Sequence, residues 1–177
     1  MVSDMEPTIR AAQIDDAQAI AEVHIASWKG AYREMLGLDD TDVRLDVGAR
    51  ERTWRDRIPR VSDEGFRTWV AEVGGHIAGF AFTQPTEDDD LNPLEVAELV
   101  ALYLRPDSFG AGIGAPLLAK AVAGMRNQGF LQATLWVLEE NARAIHFYRR
   151  EGWRPDGTRS ACFRVLNAPA LRFRRPL

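Results

Sequence analysis

Residues 96–115 read Val96-Ala-Glu-Leu-Val-Ala-Leu-Tyr-Leu104, then Arg-Pro-Asp-Ser, and then Phe109-Gly-Ala-Gly-Ile-Gly-Ala115. The almost continuously apolar first part predicts a central β-strand that is covered on both faces. A glycine-rich turn follows it and leads into an amphipathic helix with Pro116 in its first turn. Such a turn leaves backbone N–H groups unpaired at the positive end of the helix dipole, where no Cβ atom blocks an anion. The segment therefore predicts a phosphate-binding site at residues 110–115.

Two known phosphate-binding motifs can be tested against this turn. A nucleoside-triphosphate loop needs Lys and then Ser or Thr after its last glycine, whereas Gly114 is followed by Ala115 and Pro116. The spacing Gly110-x-Gly112-x-x-Ala115 does satisfy the dinucleotide fingerprint, and Glu139 lies where a ribose-binding acid is expected. However, a β-hairpin precedes this unit, and the chain after it is short for further βα repeats. A dinucleotide-binding enzyme is kept as an alternative.

A second motif lies downstream, where residues 136–153 read Trp136-Val-Leu-Glu-Glu-Asn-Ala-Arg-Ala-Ile-His-Phe-Tyr-Arg-Arg-Glu-Gly-Trp153. It predicts a strand end and a short helix on which Asn141 and Tyr148 share one face with Ala144 and Ile145. That face can meet one extended ligand. A structural interpretation also stands, in which Asn141 caps the helix and Tyr148 packs in the core.

The two motifs, in this order and at this separation, resemble the GCN5-related N-acetyltransferase family, in which a strand, a Gln/Arg-x-x-Gly-x-Gly/Ala turn and a helix hold the pyrophosphate of acetyl-coenzyme A. The resemblance implies one α/β domain over residues 1–177, with a mixed, largely antiparallel sheet, flanking helices and a splayed central strand pair. It implies acetyl-coenzyme A as cosubstrate. Phe109 departs from the family's Arg or Gln, so one side-chain contact to the ligand is expected to be missing. The expected cofactor-binding residues are Leu102, Tyr103, Leu104, Phe109, Gly110, Ala111, Gly112, Ile113, Gly114, Ala115, Asn141, Ala144 and Tyr148.

The resemblance also implies roles for these residues. Asn141 is expected to bond the pantetheine arm, and Tyr148 to give a proton to the departing thiolate, as a phenol with a pKa near 10 can do. Backbone groups of residues 102–104 are expected to pair with pantetheine amides, and one N–H there to stabilise the oxyanion.

Glu98 is the only charged residue in the strand from Val96 to Leu104. Strand alternation places its side chain on the face of Val96, Val100 and Leu102. A carboxylate there is a candidate general base that takes a proton from the ammonium substrate through water. A structural carboxylate paired with an arginine explains the same residue equally well.

The acceptor side of the site is less well defined by sequence. A helix running to about Gly30, with Asp15-x-x-Gln18 as a capping box, carries four candidate substrate-pocket residues. For one of these candidates, His24, a hydrogen-bonded histidine in the core is the competing interpretation. The acidic run at 87–90 either attracts a cationic amine or is a solvated loop, and Arg172 is expected on an exposed strand face. The four candidates are His24, Ser27, Trp28 and Tyr32.

Composition excludes several classes of function. A formal net charge of −4 and a pI near 5.4 argue against nucleic-acid binding. No apolar run approaches the roughly 20 residues that span a bilayer, and the polar start lacks a signal-peptide core, so a cytoplasmic protein without a membrane partner is expected. The three widely separated histidines give little support to a metal site. Cys162, the only cysteine, lies outside both motifs and is expected to be buried.

The predicted function is transfer of an acetyl group from acetyl-coenzyme A to a primary amine of a small molecule or peptide. Direct attack is preferred over an acyl-enzyme, because no suitable nucleophile lies in either motif. The chain is expected to act as a monomer or homodimer. Besides the dinucleotide enzyme, a catalytically silent acetyl-coenzyme A sensor or partner module is the alternative.

Overall fold

The computed structural model describes residues 6–33, 37, 39, 42–58, 65–163 and 168–177. Within them, one sheet has the strand order β1-β2-β3-β4-β5-β7-β6. The strands are β1 (Thr8–Ala11), β2 (Arg67–Val73), β3 (His76–Pro85), β4 (Val96–Leu104), β5 (Gln132–Leu138), β6 (Arg154–Ser160) and β7 (Ala170–Pro176). The α-helices are α1 (Ala17–Tyr32), α2 (Val47–Arg57), α3 (Gly114–Asn127) and α4 (Ala142–Arg150).

The sheet is largely antiparallel. Only the central pair of strands, β4 and β5, runs parallel, and its register extends from Val96–Gln132 to Glu98–Thr134. Beyond Glu98 the two strands separate, so the edge of β4 that faces β5 has no strand partner there among the described residues. The predicted mixed sheet with a splayed central pair is therefore confirmed.

Strand β4 is covered on both faces, as its apolar sequence predicts. Leu99 and Leu102 pack in the cluster that contains α3, whereas Val100 and Ala101 pack together in the cluster that contains α1 and α2. Val100 and Ala101, although consecutive, lie on the same face of the sheet because the register between β3 and β4 is irregular at this point. The predicted common face of Glu98, Val100 and Leu102 is therefore wrong, since Leu102 lies on the opposite face from Val100.

Helix α1 begins differently from its predicted capping box. A short 3₁₀ turn at Ile14–Asp16 precedes it, and the Gln13 N–H donates to the Asp16 carboxylate at 2.7 Å. Gln18, the predicted capping partner of Asp15, instead donates to Glu22 at 3.1 Å. The buried stripe of the helix is as predicted, because it follows the 3.6-residue period rather than the cap.

The acidic loop between β3 and β4 is tied to the other end of the sheet. The Arg172 guanidinium on β7 donates to Asp90 at 2.7 Å, to Asp156 at 2.7 Å and to Asp88 at 3.1 Å. The Arg172 side chain is only 3% exposed. The expectation of an exposed Arg172 is therefore wrong, and the acidic loop is more than a solvated one.

Three other sequence expectations concern isolated features. Cys162 is exposed, so the expectation of a buried thiol is wrong. No helix in the described part of the chain combines the length and the hydrophobicity needed to cross a bilayer. Among the same residues, no group of three or more His, Cys, Asp and Glu side chains is arranged to hold a metal ion.

Candidate active site

A cavity of about 380 Å³ opens where β4 and β5 separate. Its walls come from the end of α1, residues 99–104 of β4, the start of α3, the end of β5 and the inner face of α4. Residues predicted from distant parts of the sequence meet in this one space. The predicted residues that line it are Ser27, Tyr32, Leu102, Tyr103, Leu104, Phe109, Gly114, Asn141, Ala144 and Tyr148.

The glycine-rich turn adjoins the cavity through Phe109 and Gly114. Gly110 and Gly112 have φ angles of +81° and +77°, a region that side-chain-bearing residues rarely adopt. Both glycines are exposed, and the space that a Cβ atom would take at either position is open. The turn thus presents bare backbone to solvent beside the cavity.

Helix α3 starts without a side-chain cap at Ile113. Its first internal acceptor is the Ile113 carbonyl, which receives the Leu117 N–H at 3.2 Å. Among the described residues, the N–H groups of residues 112–115 have no protein acceptor. These are the unpaired donors at the positive end of a helix dipole, so this turn is chemically suited to an anionic ligand.

Asn141 acts as a helix cap and also faces the cavity, so it fits both the structural and the ligand-binding interpretation of the second motif. Its side-chain oxygen accepts the Ala144 N–H at 3.1 Å and so caps α4, while the same side chain lines the cavity. Tyr148 likewise packs its ring near Trp153, with the two centroids 6.3 Å apart, and also lines the cavity. The structural and ligand-facing interpretations are therefore compatible.

Three phenols converge on the cavity. Tyr32 at the end of α1, Tyr103 on β4 and Tyr148 on α4 all line it. Burial, together with the neighbouring phenols of Tyr103 and Tyr148, raises the pKa of Tyr32 well above its usual value. Burial also raises the pKa of Tyr148, and the nearby Tyr103 adds to this effect. Tyr32 and Tyr148 therefore stay protonated at neutral pH, and Tyr148 can act as a proton donor.

His24 lies behind these phenols rather than among the cavity-lining residues. Its ring centroid is 4.9 Å from that of Tyr103 and 5.2 Å from that of Trp28, and the side chain is buried. Neither ring nitrogen has a hydrogen-bond partner among the described residues. Burial lowers the pKa of His24 well below its usual value, and Arg50 and Arg57 add to this effect. His24 is thus a neutral core histidine, but the expected hydrogen bond is absent from the described part of the chain.

Glu98 precedes the cavity-lining part of β4 and is not itself a lining residue. The residue is 1% exposed and pairs in register with Gln84 on β3 and Thr134 on β5. The cavity lining on β4 starts at the next residue, Leu99. A carboxylate in this position can reach the cavity only through an intervening group or water.

Several lining residues are absent from the sequence-based list. Four of them belong to the second motif, which marks their neighbourhood but not their orientation. The others depend on the separation of β4 from β5 and on the packing of α1, which local patterns do not reveal. The residues are Gly30, Ala31, Leu99, Val100, Ala101, Trp136, Val137, Arg143 and Phe147.

The geometry disfavours the dinucleotide alternative. A dinucleotide domain needs a largely parallel sheet, and this sheet contains one parallel pair. Glu139, the candidate ribose-binding acid, is ion-paired with Arg159 on β6. The glycine turn therefore does not belong to a dinucleotide-binding domain of this type.

Comparison with known proteins shows the family of the chain. A family model described as acetyltransferase (GNAT) family matches residues 29–153. An uncharacterized N-acetyltransferase of Bacillus subtilis is 31% identical over 141 residues, which are 79% of this chain and 76% of that protein. The chain belongs to the GNAT family of acetyltransferases, and the family and enzyme class predicted from its two motifs are confirmed.

Two further proteins cover nearly the whole chain. A spermidine N(1)-acetyltransferase of Thermoplasma acidophilum is 24% identical over 160 residues, covering 90% of this chain and 95% of that protein. The crystal structure of PaiA N-acetyltransferase from Thermoplasma acidophilum, in complex with coenzyme A, has a TM-score of 0.80 at 22% identity. It covers 98% of this chain and 100% of the other, which supports the fold class.

Proposed function

We propose that this protein transfers the acetyl group of acetyl-coenzyme A to a primary amine of a small molecule or peptide by direct attack. The observation that carries the proposal is the cavity at the β4–β5 separation, where Asn141 and Tyr148 face the strand and the start of α3. The pyrophosphate binds the unpaired N–H groups of residues 112–115. A cytoplasmic location, one domain over residues 1–177 and a monomeric or dimeric state are part of the same proposal.

The pantetheine arm lies along the unpartnered edge of β4. Its amides pair with backbone groups of residues 102–104 as a neighbouring strand would, because β5 has moved away from this edge. The amine then attacks the thioester carbon, and a backbone N–H of this segment stabilises the oxyanion. As the C–S bond breaks, Tyr148 gives its hydroxyl proton to the thiolate.

Glu98 is the candidate acceptor of the ammonium proton, acting through water because the residue does not line the cavity. Glu98→Gln is expected to remove the acidic limb of the kcat/KM profile measured with a good amine acceptor. Glu95→Gln, which changes an exposed carboxylate just before β4, is the matched control and should leave that limb in place. An unchanged limb in Glu98→Gln would assign the base to another group.

The proposal is tested by thiol release from acetyl-coenzyme A across amines, polyamines, amino acids and peptides. Spermidine belongs in the panel because one relative is named as a spermidine acetyltransferase. Amine-dependent release of free coenzyme A is the expected result. Ligand binding without turnover on any acceptor would favour the silent sensor, and binding of NAD(P) without coenzyme A would favour the dinucleotide enzyme.

A further inference from the structure

The described lining of the cavity offers little positive charge to a polyanionic ligand. Among the described residues that line the cavity, Arg143 on α4 is the only charged side chain. The two cations nearest in sequence to the glycine turn are engaged elsewhere. Arg105 is ion-paired with Asp107 at 3.6 Å, and the Lys120 ammonium lies 5.1 Å from the centroid of the Trp69 ring. Arg143 is therefore the cation that the described lining of the cavity offers to a ligand on the turn.

Arg143 is held at the start of the turn by an aromatic contact. Its guanidinium carbon lies 3.8 Å from the centroid of the Phe109 ring, and Phe109 directly precedes Gly110. A guanidinium over an aromatic face keeps its N–H donors free around its edge while its position is restrained. No carboxylate in the described part of the chain lies within ion-pair distance of Arg143. The donors are thus available to a ligand.

The two walls of the cavity meet at this contact. Phe109 lines it from the turn and Arg143 from the first turn of α4, whose start is fixed by the Asn141 cap. The guanidinium therefore lies beside the residue that opens the glycine turn.

We propose that Arg143 binds a phosphate group of acetyl-coenzyme A, with Phe109 as the platform that orients its guanidinium. The inference rests on the ligand site proposed above. The phosphate is either in the pyrophosphate or at the 3′ position of the ribose, since both carry the same chemistry. A guanidinium can bind either in bidentate fashion.

The first test is the affinity of Arg143→Gln for coenzyme A, measured by calorimetry. We expect a loss of roughly 10-fold to 100-fold, as for removal of a hydrogen bond to a charged group. Arg149→Gln removes the same charge from an exposed position on the same helix and should bind like the wild type. Equal affinities for Arg143→Gln, Arg149→Gln and the wild type would overturn the proposal.

Coenzyme A that lacks its 3′-phosphate distinguishes the two phosphates. If Arg143 binds the pyrophosphate, Arg143→Gln weakens both ligands alike. If it binds the 3′-phosphate, the variant weakens coenzyme A but leaves the dephosphorylated ligand unaffected. Both outcomes support the proposal. Pantetheine carries no phosphate, so an equal loss of affinity for pantetheine in Arg143→Gln would contradict the proposal.

A compensation experiment separates a phosphate contact from a structural role. Phe109→Arg placed in the Arg143→Gln background should restore much of the lost affinity, because it returns a cation to the turn. Phe109→Leu in the wild-type background keeps the charge but removes the aromatic platform, so it should weaken binding by less than Arg143→Gln does. Failure of Phe109→Arg to restore binding in a folded protein would count against the contact. Absence of coenzyme A binding by the wild type would instead refute the proposed function itself.

Discussion

Tyr148 unites a packing role and a chemical role in one side chain. Its ring contacts Trp153, and its burial raises the pKa of the phenol while the residue still lines the cavity. A raised pKa keeps the proton on the hydroxyl across the neutral range, which a proton donor to a thiolate requires. The proton can pass to sulfur only as negative charge develops there.

Tyr148→Phe tests this assignment with the ring packing retained. We expect kcat to fall by about 100-fold or more, while the affinity for acetyl-coenzyme A changes little, because only the hydroxyl is lost. Steady-state kinetics and calorimetry measure the two quantities. If the variant keeps the wild-type kcat, Tyr148 is not the proton donor. The other phenols that line the cavity, Tyr32 and Tyr103, are then the next candidates.

His24 predicts a dependence of stability on pH. Because burial lowers the pKa of the folded-state imidazole, the unfolded chain takes up a proton below about pH 6.5 that the folded protein does not bind. Stability is therefore expected to fall as the pH drops from about 7 towards 5. His24→Phe keeps an aromatic ring among its aromatic neighbours and removes the titrating group, so it should lose less stability over this interval in urea titrations. His146→Phe on the exposed side of α4 is the control, and equal acid losses in wild type and His24→Phe would contradict the assignment.

At the scale of elements, the strand–turn–helix unit works through backbone geometry. Positive φ angles at Gly110 and Gly112 turn the chain so that α3 starts with unpaired N–H groups beside the cavity. The separation of β5 from β4 supplies the second half of the site, an unpartnered strand edge next to these donors. One ligand can therefore use a helix terminus and a strand edge at once.

Gly112→Asp and Gly129→Asp form a matched pair for testing the turn. Gly129, just beyond the other end of α3, has a φ angle of +90° and equally open surroundings, against +77° at Gly112. Both substitutions carry similar backbone strain and add one negative charge. Only Gly112→Asp is expected to abolish coenzyme A binding in calorimetry, because its carboxylate faces the pyrophosphate. Similar affinities of the two variants for coenzyme A would show that the turn is not part of the binding site.

At the scale of the whole molecule, one buried arginine connects distant parts of the chain. Arg172 binds Asp88 and Asp90 in the loop between β3 and β4, and Asp156 on β6. Asp88 also accepts the Trp136 indole N–H at 3.1 Å, and Trp136 lines the cavity. The network therefore fixes the loop against the strand that forms one wall of the site.

Arg172→Met is expected to destabilise the protein by about 3 kcal/mol or more, because it leaves carboxylates around a buried site without their cation. Arg126→Met, at an exposed position on α3, is the control and should change stability by less than about 0.5 kcal/mol. Urea unfolding curves measure both. A loss in Arg172→Met no larger than that of the control would show that the network contributes little to folding.

The features that sequence predicts correctly here depend on neighbours along the chain. The apolar strand from Val96, the glycine turn and the Asn141 cap each follow from local rules of burial, backbone conformation and hydrogen bonding. Their order was enough to predict the family and the fold class. Strand alternation assigns Leu102 to the wrong face, because the irregular β3–β4 pairing that shifts the alternation arises between strands.

The remaining features exist only once distant segments are in contact. The ion pairs of Arg172, the meeting of Tyr32 and Tyr103 in one cavity, and the stacking of Arg143 on Phe109 each join side chains from different elements. No period or spacing within one segment carries that information, because the distances are set by how the strands separate and how the helices pack. Local chemistry therefore identified the kind of ligand, whereas three-dimensional packing assembled the side chains that surround it.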